Sequence, residues 1–551
     1  MATITATEVI ILQAAKHSGL KVGASHSVRN STSAARSELQ LKIESSDPPF
    51  RLGVTLRVVL SVFQLCMINF LASLTNSIIT VGLPTIAASI SLPRSLYLWP
   101  ASVYGLTAGA TLLIAGSIAD LIEPRRVEVF GCILLSAFTL ACGFARTGIQ
   151  FVIFRALQGV AMSMHLPASV ALVAAAVPQG KSRNICFGCL GMSQTLGFSA
   201  GLVLSGIMIQ KTGWRSGFYL SGGATFVATI VGIWFLPNAP PAAPVTDGEL
   251  HRSTLARIWG EIDWVGGIIA SAGLAMIAYV LAILSADLSA IHKPVTAILL
   301  ALSLTLLLAF PLWMHQRERS GKPALIPNII WKKIPFTSTC IMVALSNGVM
   351  NSMELFSSLY FQEIQNTSTL FTSLQLLPSL LVGAVVNLSV GLFVDKMPAR
   401  WLVTISSILC AIAPLLMALV DPKWNYWYME FWAQVFSPMS GDVLFTVGLL
   451  IVSDEFPEQM QALAGAVFNT VAQFGMSLGI GVCQVVALGV RSTGEHGSSP
   501  QSRSAMADSD NGQSLKGYQA SFWTMFAIML TCSVVAIGGL RKAGKVGVKR
   551  E

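Results

Sequence analysis

The sequence predicts an all-α polytopic membrane protein, and three observations support this fold class. Hydrophobic residues make up 53% of the 551 residues. Charged residues make up only 11%, against roughly 25% in ordinary soluble domains. Apolar segments of about 20 residues, the length that crosses a bilayer as a helix, recur along nearly the whole chain. A chain with a mean hydropathy of +0.67 cannot bury its apolar surface in one soluble core.

Hydropathy predicts fourteen spans. They lie near residues 56–82, 97–119, 126–145, 149–177, 184–209, 215–236, 263–285, 294–314, 336–360, 369–394, 401–420, 427–453, 461–490 and 519–540. The seventh and eighth spans should make the fewest polar contacts with other helices, because their segments IIASAGLAMIAYVLAIL and VTAILLALSLTLLLAF contain no ionisable side chain. Residues 1–50 are Ser-rich and sparsely apolar, which predicts a disordered tail; a transit peptide would share that bias.

The basic residues predict the orientation. An even number of spans places both termini on one side, and a cytoplasmic location for both puts most Lys and Arg there. The loop HQRERSGKPALIPNIIWKKIP and the tail RKAGKVGVKR agree with this choice. The net charge of +9 therefore reflects membrane topology. Nucleic acid is not an expected partner, because no soluble domain presents a basic face.

An internal repeat divides the chain into two halves. GSIADLIEPRR (116–126) follows the second span, and GLFVDKMPAR (391–400) follows the tenth. Each segment has a Gly, an Asp four residues later, and then Pro and Arg. Many secondary transporters consist of two related halves with the substrate site between them, near the bilayer midplane. The repeat therefore predicts a transporter.

From about Leu60 to Leu540 the chain resembles the fourteen-span drug:proton antiporter family of the major facilitator superfamily. The resemblance is strongest to its fungal branch, which includes aminotriazole-resistance proteins and secondary-metabolite efflux pumps. The segments that carry it are NSIITVGLPTIAASI, GSIADLIEPRR, FRALQGVAMSMHLPASVAL, GMSQTLGFSAGLVLSG and SPMSGDVLFTVGLLIVSDEFPEQM.

The resemblance implies the major facilitator fold, in which two six-helix bundles rock about a central cavity. We expect five parts: a disordered cytoplasmic tail (1–50), a first six-helix bundle (51–237), a connector with two extra spans (238–334), a second six-helix bundle (335–540) and a basic cytoplasmic tail (541–551). By the same resemblance, the gating loops contain Gly116, Asp120, Arg125, Arg126, Gly391 and Asp395.

The fourth span contains a cation and an imidazole. Arg155, Gln158, Met162 and His165 lie on one helix face. A charge in the membrane is costly and should face a wet cavity or the bundle interior. The family motif places its fourth-span arginine, associated with proton coupling, at Arg155; the alternative is a packing cation held by helix-end carbonyls. His165 can gain or lose a proton near neutral pH, or simply bond to a neighbouring helix.

Acidic residues in the spans are scarce, and two are candidates for carrying a proton. Glu354 and Asp442 lie on helices expected to face the cavity. Desolvation disfavours the ionised form of a buried carboxyl group that has no cation beside it. The alternatives are that Asp442 belongs to a capped helix break at 437–441 and that Glu354 pairs with Asn347 or Asn351.

Three further sets of residues complete the candidates. Gln158, Met162, Gln194 and Asn351 are candidates for lining the substrate cavity. Gly191, Gly197 and Gly201 would let helices approach closely. Asn366 is a glycosylation acceptor on a predicted outside loop. The chain departs from the family's antiporter motif at Phe198, where proline is usual, and from its first-span acid at Thr75.

The sequence predicts a proton-coupled exporter of a small organic compound, such as a fungal secondary metabolite, toxin or drug. The alternatives are a facilitator or importer of a small nutrient such as ammonium, and a non-transporting receptor or regulator. No enzyme motif, metal site or cofactor-binding site is expected, since the proton gradient supplies the energy. We expect a functional monomer that binds a small molecule within the lipid bilayer of the plasma membrane, or alternatively of the vacuole.

Overall fold

The computed structural model describes residues 52–93, 96–177, 181–238, 262–284, 288–322, 324–393, 397–456, 458–495, 503–541 and 543–544. The chain separates into the units Met1–Leu56 and Arg57–Glu551. The predicted tail 1–50 lies outside the described residues, as does all of the tail 541–551 except residues 541, 543 and 544.

The regular structure of the described residues is helical. The α-helices are α1 (Leu52–Ser89), α2 (Trp99–Leu121), α3 (Pro124–Phe144), α4 (Gly148–Ala176), α5 (Lys181–Lys211), α6 (Trp214–Phe235), α7 (Trp264–Leu284), α8 (Pro294–Arg319), α9 (Ile334–Leu359), α10 (Thr369–Phe393), α11 (Ala399–Leu419), α12 (Glu430–Phe436), α13 (Met439–Glu455), α14 (Glu458–Glu495) and α15 (Arg503–Gly539). Short 3₁₀ helices lie at Leu288–His292 and Ile330–Lys332, and a π-helical turn lies at Tyr360–Ile364.

Thirteen segments of the described chain are long and apolar enough to cross a membrane, and α12 and α13 together form one of them. α9 is not in that set, because its Ser, Thr and Asn residues and Glu354 lower its hydropathy. Its 26 residues are nevertheless long enough to span, at about 39 Å. Fourteen spans therefore fit the structure, and the least apolar of them carries Glu354.

Each half contains an equivalent close contact between two of its helices. In the first half, a Cβ at Gly197 or Gly201 of α5 would collide with the α1 backbone at Phe70 or Leu74. In the second half, a Cβ at Gly475 or Gly479 of α14 would collide with the α9 backbone at 344 or 348. Only glycine permits these approaches, so the repeat that the loop motifs predict extends to the packing of the helices.

The bundles meet along two helix pairs, α2 with α14 and α5 with α10. The extra helices α7 and α8 pack against each other, and α7 also contacts α2 and α14. At the start of α7, Asp263 accepts a hydrogen bond from the Trp313 indole of α8 at 3.1 Å and lies 3.7 Å from Arg317. This contact fixes the two extra helices to one another.

Two faces of the molecule are named after the predicted orientation. The inner face carries the α2–α3 connection and the end of α6 at Phe235. The outer face carries the α1–α2 connection, the α3–α4 connection and the π-helical turn at Tyr360–Ile364.

Candidate functional site

A small cavity lies between the two bundles. Its volume is about 20 Å³, which is room for about one water molecule. The first half contributes Asn76, Ile79, Thr80, Ala101, Arg155 and Phe198, and the second half contributes Asn351, Glu354, Leu355, Met476 and Ile480. This cavity therefore brings polar residues of the two halves together, and in this conformation it is too small to hold an organic substrate.

Arg155 is buried in the wall of this cavity, and the first half satisfies most of its donors. Its guanidinium donates to the Pro100 carbonyl at 3.1 Å, to Gln158 Oε1 at 2.7 Å and to Asn76 Oδ1 at 2.9 Å. It also lies over the Tyr104 ring, 4.7 Å from the centroid. These partners are all neutral, so they orient the cation without cancelling its charge. One partner is a carbonyl near the start of α2, as the packing interpretation predicts, and the side chain also lines the cavity.

Gln158 and Met162 lie behind Arg155 rather than on the cavity surface. Gln158 accepts from Arg155 and donates to Thr139 of α3 at 2.8 Å, which connects α4 to α3. Met162 packs in an apolar cluster with Ile68 and Tyr104. Gln158 therefore positions the guanidinium, whereas Met162 contributes packing.

Glu354 faces Arg155 from the other half. Its side chain is buried and lines the same cavity. Among the described residues, no hydrogen bond or ion pair of up to 4.0 Å involves its carboxylate. Asn351 also lines the cavity, and its amide donates to the Asn347 carbonyl on its own helix at 3.0 Å. Neither predicted asparagine partner of Glu354 is thus hydrogen-bonded to it.

Asp442 lies in the first turn of α13, directly after the interruption at Ser437–Pro438. Its backbone N–H donates to the Pro438 carbonyl at 3.3 Å, and its side chain does not cap the helix. The carboxylate packs against Gly383 of α10, where a Cβ would lie 2.7 Å from Oδ2. No basic side chain pairs with it within the part of the chain that the structure describes.

His165 faces the interior of the first bundle and is not among the residues that line the cavity. Its Nδ1 is 2.8 Å from Glu128 Oε1 of α3, and both side chains are fully buried. Cys132 Sγ donates to the same oxygen at 3.2 Å, and His165 Nε2 has no partner among the described residues. The three ligand atoms lie within 4.8 Å of one another, a donor set that could hold a transition metal. The direct histidine–carboxylate bond satisfies two of these groups without a metal ion.

Hydrogen bonds across the bundles close the outer face. Glu363, in the π-helical turn after α9, accepts from Tyr97 of the first half at 2.8 Å and from Tyr518 of α15 at 2.5 Å. The neighbouring Gln362 donates to the Val81 carbonyl of α1 at 3.0 Å. Burial raises the pKa of Tyr97 above its usual value, and the Glu363 carboxylate raises it further, so the phenol stays a donor. We call Tyr97, Gln362 and Glu363 the outer latch.

The predicted gating residues of the inner face are described in part. Arg125 donates to the Ile233 carbonyl of α6 at 2.7 Å and to Asn238, and Arg126 pairs with Glu123 at 3.0 Å. Gly116 has only Pro167 near its Cβ position, at 3.8 Å. The side chain of Asp120, the surroundings of Gly391 and the whole of Asp395 lie outside what the structure describes.

The remaining candidates are in different surroundings. Gly197 and Gly201 are at the close α1–α5 contact, whereas nothing lies within 4 Å of a Cβ at Gly191. Gln194 is exposed on α5 and does not line the cavity. Asn366 is exposed on the outer face and has a positive φ of 55°.

Sequence reasoning missed three buried acids of the described chain. Glu128, Asp263 and Glu430 are 0%, 4% and 1% exposed, although all three lie in predicted spans near a boundary. Glu430 accepts from Gln365 at 2.6 Å on the outer side of α12. The available signal was an acidic residue inside a predicted span. Near the end of a span such a residue is readily assigned to the membrane interface, because hydropathy does not define the boundary sharply.

The fold and the inter-bundle cavity agree with the comparisons with known proteins. The family model described as Major Facilitator Superfamily matches residues 65–480. The chain therefore belongs to the major facilitator superfamily, a family of membrane transporters, and the predicted all-α membrane fold and the family resemblance are confirmed.

The relatives include proteins named as transporters and efflux pumps. The chain is 39% identical over 523 residues to "MFS-type transporter 1" of Pyricularia oryzae, covering 89% of this chain and 85% of that protein. It is 25% identical to "Efflux pump terJ" of Aspergillus terreus, covering 72% and 74%. It is also 25% identical to the "Low affinity ammonium transporter" of Saccharomyces cerevisiae, covering 70% and 73%.

Among solved structures, the chain is similar to a bacterial homologue of the human lysosomal transporter Spinster in an inward-facing, occupied conformation. The TM-score is 0.58 at 14% identity, with 90% of this chain and 98% of that chain covered. This likeness supports the fold alone. The family and the fold are those of transporters, and a transporter of this kind binds its small-molecule substrate within the membrane.

Proposed function

We propose that the protein is a proton-coupled exporter of a small organic compound that works by alternating access. The observation that supports this most is the cavity between the halves, which places Arg155 of α4 opposite Glu354 of α9. A site shared by two halves changes its exposure when the halves rock. The similarity to an efflux pump favours export as the direction.

The proposed mechanism uses the second half as the proton carrier. Protons that enter from the outer side neutralise Glu354 or Asp442, the buried carboxyl groups that form no ion pair within 4.0 Å among the described residues. Neutralisation removes the attraction between Glu354 and Arg155 across the cavity and biases the halves toward the inward-open state. Release of the proton to the inside restores the attraction, and the return step carries substrate outward. The proposed route does not use His165, because this side chain is bonded to Glu128 and does not line the cavity.

A second candidate function is facilitated movement or import of a small nutrient. What favours it is the similarity to a yeast protein named as a low affinity ammonium transporter. An uncoupled facilitator would not need the proton gradient, so the protonophore response separates the two. In either function we expect a monomer, located in the plasma membrane.

The test measures accumulation of a panel of labelled compounds in cells that express the chain, with and without a protonophore. Arg155→Ala and Asp442→Asn are the test variants, and Arg146→Ala and Asp421→Asn, both exposed on the outer face, are the matched controls. The proposal expects lower accumulation that the protonophore and both test variants abolish and the controls retain. Accumulation that rises with expression would contradict export, and export that is insensitive to the protonophore would contradict coupling.

A further inference from the structure

A groove on the inner face combines cations with an exposed apolar wall. It lies between the first two turns of α3 and the end of α6, and its volume is about 580 Å³. Arg125 and Arg126 line its polar end, and Phe130, Ile133 and Ile233 line its wall. We call it the inner groove. It is far larger than the cavity between the bundles and shares no lining residue with it.

The polar end carries excess positive charge. Arg125 is held by neutral acceptors, the Ile233 carbonyl and the Asn238 side chain, so its charge is not cancelled. Arg126 pairs with Glu123, but its side chain is 74% exposed. Nearby, the Arg57 guanidinium donates to the Phe235 carbonyl at 3.3 Å. Among the described residues, three cations and one anion therefore lie near the end of α6.

The apolar wall runs from these cations toward the middle of the membrane. Arg126, Phe130 and Ile133 recur at helical spacing on α3, which places them on one face. Phe130 is 55% exposed, and Ile133 and Ile233 are each 43% exposed. From Arg126 to Ile133 the helix rises about 10 Å, so the wall reaches from the level of lipid headgroups into the hydrocarbon region.

We propose that the inner groove binds one anionic glycerophospholipid of the inner leaflet. The lipid phosphate contacts Arg125 and Arg126, and one acyl chain lies along Phe130, Ile133 and Ile233. In such a lipid the charged headgroup would lie against the cations and the acyl chain against the apolar wall. A free phosphate ion would contact the cations only. The bound lipid would join the α2–α3 connection to the end of α6. The proposal does not rest on the proposed transport function.

The test is native mass spectrometry of the full chain purified in detergent, titrated with phosphatidylglycerol or with phosphatidylcholine of the same acyl chains. Arg126→Gln and Phe130→Gln are the test variants; both residues are on the surface, so the fold should tolerate them. The matched controls are Arg146→Gln on the outer face and Phe144→Gln, which is 68% exposed at the other end of α3. Thermal melting of each variant checks the fold.

The proposal expects one phosphatidylglycerol to bind in preference to phosphatidylcholine. Loss of Arg126 should weaken its binding about fivefold, as expected for one basic residue at an anionic membrane surface. Phe130→Gln should weaken it as well, and the two controls should not. Three results would each overturn the proposal. The two lipids could bind equally well, or the test and control variants could lose equal lipid affinity. The third is complete displacement of the lipid by inorganic phosphate, both with Phe130 and with Phe130→Gln.

Discussion

The two halves of the protein treat their buried ionisable groups in opposite ways. In the first half, Arg155 has three hydrogen-bond acceptors and Glu128 is bonded to His165. In the second half, Glu354 and Asp442 have no cation within 4.0 Å among the described residues. The difference teaches that two halves of one fold can place buried charges in different surroundings. The first half holds its charges in hydrogen-bond networks, and the second leaves two carboxyl groups without a basic partner among the described residues.

The interiors of the two bundles differ in the same sense. The first contains the Glu128–His165 pair, whereas the second contains a hydroxyl cluster in which Ser440 lies 3.0 Å from Ser346 and 3.2 Å from Ser407. Hydroxyl groups can satisfy one another by rotation and leave no charge behind. Loss of one member should therefore be far more costly in the first bundle.

The largest expected effect tests that contrast directly. Glu128→Ala or His165→Ala should destabilise the protein by about 3–5 kcal/mol, because either change leaves a buried polar partner alone. Ser440→Ala should cost only about 1 kcal/mol. The unfolding midpoint in detergent measures all three. The double variant Glu128→Gln/His165→Gln should be less destabilised than the sum of the losses of the single variants. Losses of stability that add would show that the two side chains are not coupled.

The next prediction concerns a feature in which the halves are alike. Gly197→Ala and Gly475→Ala should each cost about 1–3 kcal/mol, because the new Cβ would overlap the backbone of a neighbouring helix. Gly191→Ala is the matched control, since nothing lies within 4 Å of its Cβ. Similar losses of stability for Gly197→Ala and Gly475→Ala, measured by thermal unfolding, would support equivalent helix packing in the two halves. A loss of stability in only one of these variants would contradict it.

A smaller effect is expected at the outer latch, which joins the halves. Tyr97→Phe removes the bond to Glu363 and should raise labelling of Asn351→Cys by an impermeant thiol reagent added from outside. The lost hydrogen bond should destabilise the closed outer face by about 1 kcal/mol, which corresponds to about a fivefold rise in the labelling rate. Tyr426→Phe is the control, because its hydroxyl donates to the Gln375 carbonyl within the second half at 2.6 Å. An equal rise in both variants would show that the latch does not hold the halves together.

Much of the fold could be predicted from sequence, because the bilayer imposes a simple rule on helix length and hydropathy. Span number, the two extra helices and the relation between the halves all follow from local patterns. The predicted boundaries differ where a helix extends beyond the apolar run, as in α14, which reaches Glu495.

The site could be predicted less well, because it depends on which residues of distant helices meet. Arg155, Asn351 and Glu354 were identified as candidates, and the structure places them around one cavity. Arg155 and His165 share one helical face, but only Arg155 lines the cavity, and His165 bonds to Glu128 of α3 inside the first bundle. The outer latch left no sequence signal, since Tyr97 lies 266 positions before Glu363 in the chain.

The central claim is that the carboxyl groups of the second half carry the coupling proton. The most direct test uses membrane vesicles and a substrate found in the accumulation screen, and it compares gradient-driven transport with counterflow exchange, which needs no net proton movement. We predict that Glu354→Gln, alone or with Asp442→Asn, abolishes transport driven by the pH gradient but retains counterflow. Full gradient-driven transport in the double variant would contradict the account.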